Sequence, residues 1–434
     1  MIRVITYGTY DLLHYGHIRL LERAKALGDY LIVGITADDF DKTRGKINVQ
    51  QSLMERIEGV RATGLVDEII VEEYEGQKID DIRRFGVDIF TVGSDWIGKF
   101  DYLNEYCKVI YLPRTEGVSS SEIRSEKRNI RLGLVGNVSL LEKFINEASF
   151  VNGIEVSAVC TQNRNINTIG IQTVEFYNEL LDNVDAVYIA SKPDEHYEQI
   201  KVALSKNVHV LCETPTTINV QNNKELIELA GIKGCILMDS LKTAYSTAYN
   251  RLLVLVKSGI IGDVVSVEST CTSLSNIASN SWNSMSYWSP TAVLPVFNIL
   301  GTNYNNKRMI SKYDGSGEAI FTQIDFVYDH AVATVKVGNG VKSEGELIIS
   351  GTNGYIYVPA PWWKTDYFEI RNEDQSKNKR YFYQLDGEGI RYELVAFVKA
   401  IQSGKNMSFV NADVSNAISK IMEDFNAGID CLKI

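Results

Sequence analysis

Two histidines three residues apart carry the first chemistry this chain offers. His14 and His17 lie in Gly8-Thr9-Tyr10-Asp11-Leu12-Leu13-His14-Tyr15-Gly16-His17. The stretch follows the apolar run Val4-Ile5-Thr6, which reads as a buried strand, and leads into residues 18–27. There Leu20, Leu21, Ala24 and Leu27 share one helical face, and Gly28 ends the helix. Both imidazoles therefore stand at a helix mouth, on one side of it. Gly16 leaves room for a ligand against the backbone. Free N–H groups at such a mouth attract phosphate. Two imidazoles added there can donate to charge developing on phosphorus or on a departing pyrophosphate. A bare H-x-G-H also reads as two histidines that cap a helix beside a strand.

The elements that must hold these residues alternate. Residues 30–35, 68–71, 88–92 and 108–112 are apolar strand candidates with helical stretches between them. That alternation predicts a parallel, doubly wound α/β sheet, with the ligand off the carboxyl ends of the strands. Asp95, after the strand ending at Val92, can accept from ribose or acceptor hydroxyls. Residues 38–46 (DDFDKTRGK) form a polar, cation-bearing loop. Arg114-Thr115-Glu116-Gly117-Val118-Ser119 brings a cation, a glycine turn and hydroxyls, a second phosphate cradle. Ser119 and Glu122 also have capping-box spacing, so a capped helix is the plainer reading of that segment.

The composition bounds the rest. A chain of 434 residues favours two or three domains. A formal net charge of -11 leaves no broad basic surface for nucleic acid, so phosphate must be met by local Lys and Arg. No apolar run approaches a membrane span and no signal-like start precedes the first strand, which implies a cytoplasmic protein. Cys107, Cys160, Cys212, Cys235, Cys271 and Cys431 are scattered, without a CxxC pair, and are expected as free thiols.

Residues 1–124 resemble the cytidylyltransferases, in particular the glycerol-3-phosphate cytidylyltransferases of teichoic-acid synthesis. The likeness rests on VITYGTYDLLHYGHIRLLERAKALGDYLIVGIT, VGSDWIGKFDYL and VIYLPRTEGVSSSEIR. It implies transfer of CMP from CTP to a polyol phosphate for a cell-wall or capsule polymer, with Mg²⁺ on the phosphates. It also implies site roles. His14, His17, Lys46 and Arg114 would be catalytic, and Thr9, Tyr10, Asp11, Asp95, Arg114, Thr115 and Ser119 would meet the nucleotide. Asp11, Lys46, Arg56 and Asp67 would line the acceptor side, with Lys42 and Arg44 in the same loop as Lys46; for Arg56 and Asp67 a salt-bridge role is the alternative.

From Asn129 the strand pattern restarts, with strands read at 131–136, 155–160, 186–191, 209–213 and 235–239. Beyond about residue 250, period-two runs at 264–270, 319–326, 331–337, 345–350 and 354–358 predict an antiparallel sheet, closed by a helix over 391–403. This half resembles the Gfo/Idh/MocA oxidoreductases, through VDAVYIASKPDEHYEQIKVALSKNVHVLCETP, LMDSLKTAYSTAYNRLLVLVKSGIIGDVVSVES and GTNGYIYVPAPWWKTDYFEIR. The expected domains are 1–127, 128–248 and 249–434. NAD(P) would be met by Gly136, Thr161, Glu213, Thr214 and Pro215. Yet Val138 stands where the fingerprint needs its second glycine. Thr214 replaces the lysine of the family's E-K-P, and Thr161 replaces a ribose-holding acid, with Arg164 nearby. No histidine falls between Trp282 and Leu300, where a proton donor is expected. Lys242 could reach a substrate, although a helix-surface lysine is the favoured reading, and His196 reads as either a loop residue or a neighbour of the nicotinamide.

Three functions stay open: a cytidylyltransferase carrying a degenerate oxidoreductase-like domain, a bifunctional reductase–cytidylyltransferase, and a non-catalytic nucleotide-sensing scaffold. Both resemblances imply a homo-oligomer.

Overall fold

Strand-forming residues recur in the first 112 positions at the spacing of a doubly wound sheet, and the chain folds that way. A computed structural model describes residues 1–37, 49, 51–74, 76–113, 129–161, 171–274, 283–383, 385–406 and 408–434. It divides into two units, Met1–Asn129 and Ile130–Ile434. In the first unit the strands are β1 (Arg3–Gly8), β2 (Tyr30–Thr36), β3 (Glu68–Glu72), β4 (Ile89–Gly93) and β5 (Lys108–Leu112). All pair in parallel, in the order β3-β2-β1-β4-β5. The helices described are α1 (Tyr15–Lys25), α2 (Leu53–Ala62) and α3 (Gln77–Phe85).

Alternate residues of the central strands enter different cores, because side chains along a strand point to opposite faces. Val4, Leu31, Val33 and Ile35 pack with Leu21 and Ala24 of α1 and with Ile57 and Val60 of α2. Ile5, Tyr7, Ile32 and Phe90 pack with Ile82 of α3 on the other face. A sheet covered on both sides must read as nearly continuous apolar strands, as this one does. Helix α1 begins three residues before the expected Ile18, because His14 caps it, and its cap at the other end is Ala26.

The second unit holds a six-stranded parallel sheet made of β6 (Ile130–Gly136), β7 (Ile154–Cys160), β8 (Gln172–Val174), β9 (Ala186–Ala190), β10 (His209–Glu213) and β11 (Leu237–Ser240). Its order is β11-β10-β9-β6-β7-β8. Helices α4 (Val138–Ala148), α5 (Tyr177–Leu181), α6 (Pro193–Ser205) and α7 (Val220–Lys233) connect these strands. A single turn, Lys242–Tyr245, and α8 (Thr247–Lys257) lead to a nine-stranded sheet. That sheet is antiparallel except where β12 (Val264–Ser273) meets β15 (Val332–Asn339) and where β13 (Asn306–Tyr313) meets β20 (Cys431–Lys433). The α/β class with a mostly antiparallel third layer is the one expected.

Several elements went unread. Strand β13 carries Lys307 at a buried position, which breaks the apolar alternation. The helix over 390–403 does not close the chain, since Ala412–Ala427 forms a longer helix after it. These two surprises are joined: Lys307 Nζ donates to Asp424 Oδ2 at 2.7 Å, and both side chains are almost wholly buried. Removing Lys307 leaves the buried Asp424 with Lys420, 2.7 Å away, as its remaining partner. Lys307→Ala is expected to cost about 3 kcal/mol of stability, measured by denaturant unfolding, and the double replacement Lys307→Met with Asp424→Leu should recover most of it.

Candidate functional site

The first unit's sheet reverses direction between β1 and β4, so the loops after these two strands open a crevice at its carboxyl edge. The loop after β1 carries the two histidines. His14 is the N-cap of α1, and its Nδ1 accepts from the Gly16 N–H at 3.1 Å. That bond leaves the His14 proton on Nε2, the ring edge away from the helix. The His14 and His17 rings stack at a centroid separation of 3.9 Å. Tyr10 meets His17 edge-on at 5.5 Å.

This loop is held under strain. Tyr10 (φ 53) and Leu12 (φ 49) both occupy the left-handed region, without being glycine. Two such residues within three positions persist only where the surroundings over-determine them. The clamp comes from the start of α2. Asp11 is buried and its Oδ1 accepts from Gln51 N at 2.9 Å, while Leu12 N donates to Gln51 Oε1 at 2.7 Å. Arg56, also buried, donates from Nη1 to Thr9 O at 2.7 Å and to Thr36 O at 2.9 Å, and from Nε to Gln51 O at 3.2 Å. One guanidinium thus joins the ends of β1 and β2 to the mouth of α2. Gln51 was not singled out from sequence, and no local pattern marks it.

Asp95 is exposed just past β4, on the same edge as the histidine loop. Asp67 requires correction. It sits at the amino end of β3, where its Oδ2 accepts from Leu31 N at 2.7 Å and pairs with Lys25. The Leu31 bond, then Lys25, hold its carboxyl below the usual range. A residue that precedes a parallel strand lies on the edge away from the crevice, so Asp67 braces the sheet and does not line a pocket there. Lys42, Arg44, Lys46, Arg114, Thr115 and Ser119 lie outside the described residues.

In the second unit Gly136 ends β6 with φ 125, and a Cβ there would stand 2.1 Å from the Ala190 carbonyl carbon. The first fingerprint glycine therefore has its expected place. The remainder does not suit a dinucleotide. Val138 begins α4, and the Asn137 side chain accepts from Ser139 N at 3.1 Å, filling the helix mouth that would receive pyrophosphate. Thr161 follows β7 with its N–H on Val174 O and brings no carboxylate. Arg164 lies outside the described residues. His196 is a buried clamp: its ring nitrogens lie 2.9 Å from Pro215 O and 3.0 Å from Ser191 O.

Glu213 and Thr214 line a cavity of about 650 Å³. Lys242 lines it too, half-buried, so it is not the helix-surface lysine expected from sequence. Burial pulls the Lys242 ammonium down, but Glu213 and Glu393 outweigh burial and hold it above its ordinary value. Ser240 Oγ lies 3.3 Å from Glu213 and 3.1 Å from Glu393, and Tyr188 donates to Glu213. Burial pushes Glu393 up to about 8, with Lys242 opposing and Glu213 adding to the rise. The Ser240 hydroxyl stands between the two carboxyls and is placed to donate to either. Glu393 was legible as a lone carboxylate in the apolar helix IRYELVAFV.

Known proteins resemble the two units separately. The family model described as cytidylyltransferase-like matches residues 5–126, and that of the oxidoreductase family with an NAD-binding Rossmann fold matches residues 130–240. The chain is 50% identical over 130 residues to the glycerol-3-phosphate cytidylyltransferase of Bacillus spizizenii, covering 30% of this chain and 100% of that protein. Its counterpart in Staphylococcus aureus is 51% identical over 130 residues, covering 29% and 95%. By fold, the chain resembles a 3-ketoreductase of Actinomadura kijaniata solved with NADP and TDP-benzene. That likeness has a TM-score of 0.63 and 17% identity and covers 71% of this chain and 100% of that one. A UDP-N-acetylglucosamine 3-dehydrogenase of Acidithiobacillus ferrooxidans gives 0.61 and 15%, over 70% and 98%.

The Glu393 carboxyl fixes a pH dependence. An unfolded glutamate loses its proton near 4.5, and the folded one keeps it to about 8. Its contribution to stability is full below the first value and is lost as pH rises through the second. Glu393→Gln is therefore expected to raise Tm above about pH 8 relative to the parent, and to give no such gain below pH 4.5; calorimetric scans across that range check this.

Proposed function

The chain belongs to the cytidylyltransferase-like family through its first unit, and from that premise we propose that it transfers CMP from CTP to glycerol 3-phosphate or a closely related polyol phosphate. Pyrophosphate is released. The observation that carries this reading is the stacked His14–His17 pair at the mouth of α1, on a strained loop clamped by Arg56.

An oxygen of the acceptor phosphate attacks the α-phosphorus of MgCTP in line. The new P–O bond forms as the bond from the α-phosphorus to the bridging oxygen breaks. The leaving group departs as pyrophosphate. The acceptor is already an anion, so no general base is needed. Rate then comes from positioning and from charge stabilisation. His14 and His17 donate to the phosphates as negative charge moves onto the leaving group. Lys46 and Arg114 add cations from two loops, and Asp95 meets hydroxyls of ribose or acceptor. Arg56 acts as a positioning residue. Thr9 and Asp11 keep the loop that presents both imidazoles. The activated polyol would serve a cell-wall or capsule polymer, as the family resemblance implies.

A second reading adds a reductase step ahead of CMP transfer. The NADP complex of the Actinomadura fold neighbour favours it, and the Asn137 cap and Val138 oppose it. Titration of NADPH against the chain, followed by nicotinamide fluorescence, separates the two: saturable micromolar binding supports the reductase reading, and silence with CTP turnover intact removes it.

His17→Ala is expected to lower kcat for pyrophosphate release by roughly 10²–10⁴-fold with Tm unchanged within a few degrees; turnover near the parent value would overturn the assignment. In a panel of polyol phosphates with CTP, glycerol 3-phosphate or a near relative should give the highest kcat/KM.

A further inference from the structure

Alternate residues of the nine-stranded sheet separate into a buried set and an open one. Besides β12, β13, β15 and β20 the sheet holds β14 (Ala319–Val327), β16 (Leu347–Gly351), β17 (Tyr355–Val358), β18 (Tyr367–Arg371) and β19 (Lys379–Phe382). Ile324, Val335, Leu347, Ile349, Ile356 and Phe368 belong to the inner set and are wholly buried. Helix α9 (Ser284–Leu300) packs there, with Phe297 edge-on to Phe326 at 5.9 Å. On the same side, Ala248, Tyr249 and Leu252 of α8 surround one small void with Leu347, Val358 and Phe368.

The outer set stays open among the described residues, and it is not polar. Val332 is 51% exposed, Phe382 63% and Tyr355 37%. Ile348 and Tyr357, opposite each other across β16 and β17, are covered only in part. An antiparallel sheet with one face in water alternates apolar with polar residues. These strands carry apolar or aromatic residues on both faces.

One end of the outer face is a ladder of rings and guanidinium groups. Arg371 lies 4.4 Å from the centroid of the Tyr357 ring and 6.0 Å from that of Tyr355. Arg380 lies 5.2 Å from Tyr367 and 5.8 Å from Phe382. Glu369 pairs with both arginines, meeting Arg371 Nε at 2.7 Å. Each long cation is thus held by rings and a shared carboxylate, so covering it costs little further side-chain entropy. Tyr and Arg fixed in this way dominate the energetics of association.

Charge and size select the occupant. Asp325 accepts from Gln323 and Thr334, both at 3.0 Å, and Arg308 stands across from it in the register of β13 and β14. With both signs interleaved, the face offers no field of one sign to nucleic acid or an anionic membrane. Nine strands at about 4.8 Å spacing cover roughly 40 Å by 17 Å. That footprint is of the order of the ~800 Å² that each partner gives a stable interface. A broad sheet face is matched by another of the same kind, and a two-fold axis supplies one from the same chain.

We propose that two copies of the chain associate through the outer faces of these sheets, about a two-fold axis, with Tyr357, Arg371, Glu369 and Arg380 as the anchor on each side. This association does not depend on the CMP-transfer reading.

Sedimentation of the full chain tests it. At about 20 µM the parent is expected to travel as an even number of chains. Ile348→Lys sets a cation within the face, with Glu268 opposite it across β12 to keep the separate sheet folded. It should halve the mass, or weaken association at least tenfold, with CMP transfer unchanged as a check on folding. Tyr357→Ala, which removes the ring beside Arg371, should also weaken association at least tenfold. If neither folds, Val332→Lys decides, at a position already half open, with an expected loss of about threefold. A parent that sediments as a single chain, or a parental mass and affinity kept by the variants that fold, would overturn the proposal.

Discussion

A single buried guanidinium sets the geometry of the first unit. Arg56 meets carbonyl oxygens from three separate segments, Thr9, Thr36 and Gln51. One planar guanidinium thereby ties three backbone segments together. Everything at the carboxyl edge inherits this restraint. The histidine loop can hold two non-glycine residues in the left-handed region because its ends cannot relax. The imidazole stack of 3.9 Å is the visible product. Pre-organisation of this kind lets hydrogen-bond donors act on a charged transition state without first reorganising.

The second unit reaches a comparable rigidity by other means. Its cavity depends on ionisable groups set close together: Glu393, held protonated by burial, Glu213, a serine hydroxyl between them and a half-buried Lys242. Burial alone would discharge such a cluster. The neighbouring carboxyls favour the charged lysine, while burial raises Glu393.

Legibility in the sequence followed locality. His14, His17 and Gly16 are contiguous, so their roles at a helix mouth were readable from spacing, as was the alternation that makes the first sheet. Arg56 was flagged, but its three carbonyl partners come from residues 5 to 47 positions away and leave no local trace. Asp67 was assigned to the pocket, although a residue just before a parallel strand belongs to the opposite edge. Lys307 concealed a strand because a charge at an inward position is tolerated only when a distant aspartate answers it. Lys242 was misread for the same reason: one turn of 3₁₀ helix between a strand and a longer helix looks like surface until the cavity beside it is known.

Neighbouring strands of a parallel sheet run about 4.8 Å apart, so the tips of β10 and β11 are nearly interchangeable places from which to deliver a side chain. Thr214 and Lys242 are far apart along the chain and open onto one space. A signature scored on consecutive letters therefore misses an amine that the neighbouring strand end brings to the same cavity. Adjacent strand tips thus make one cavity's chemistry a property of the sheet edge and not of any single loop.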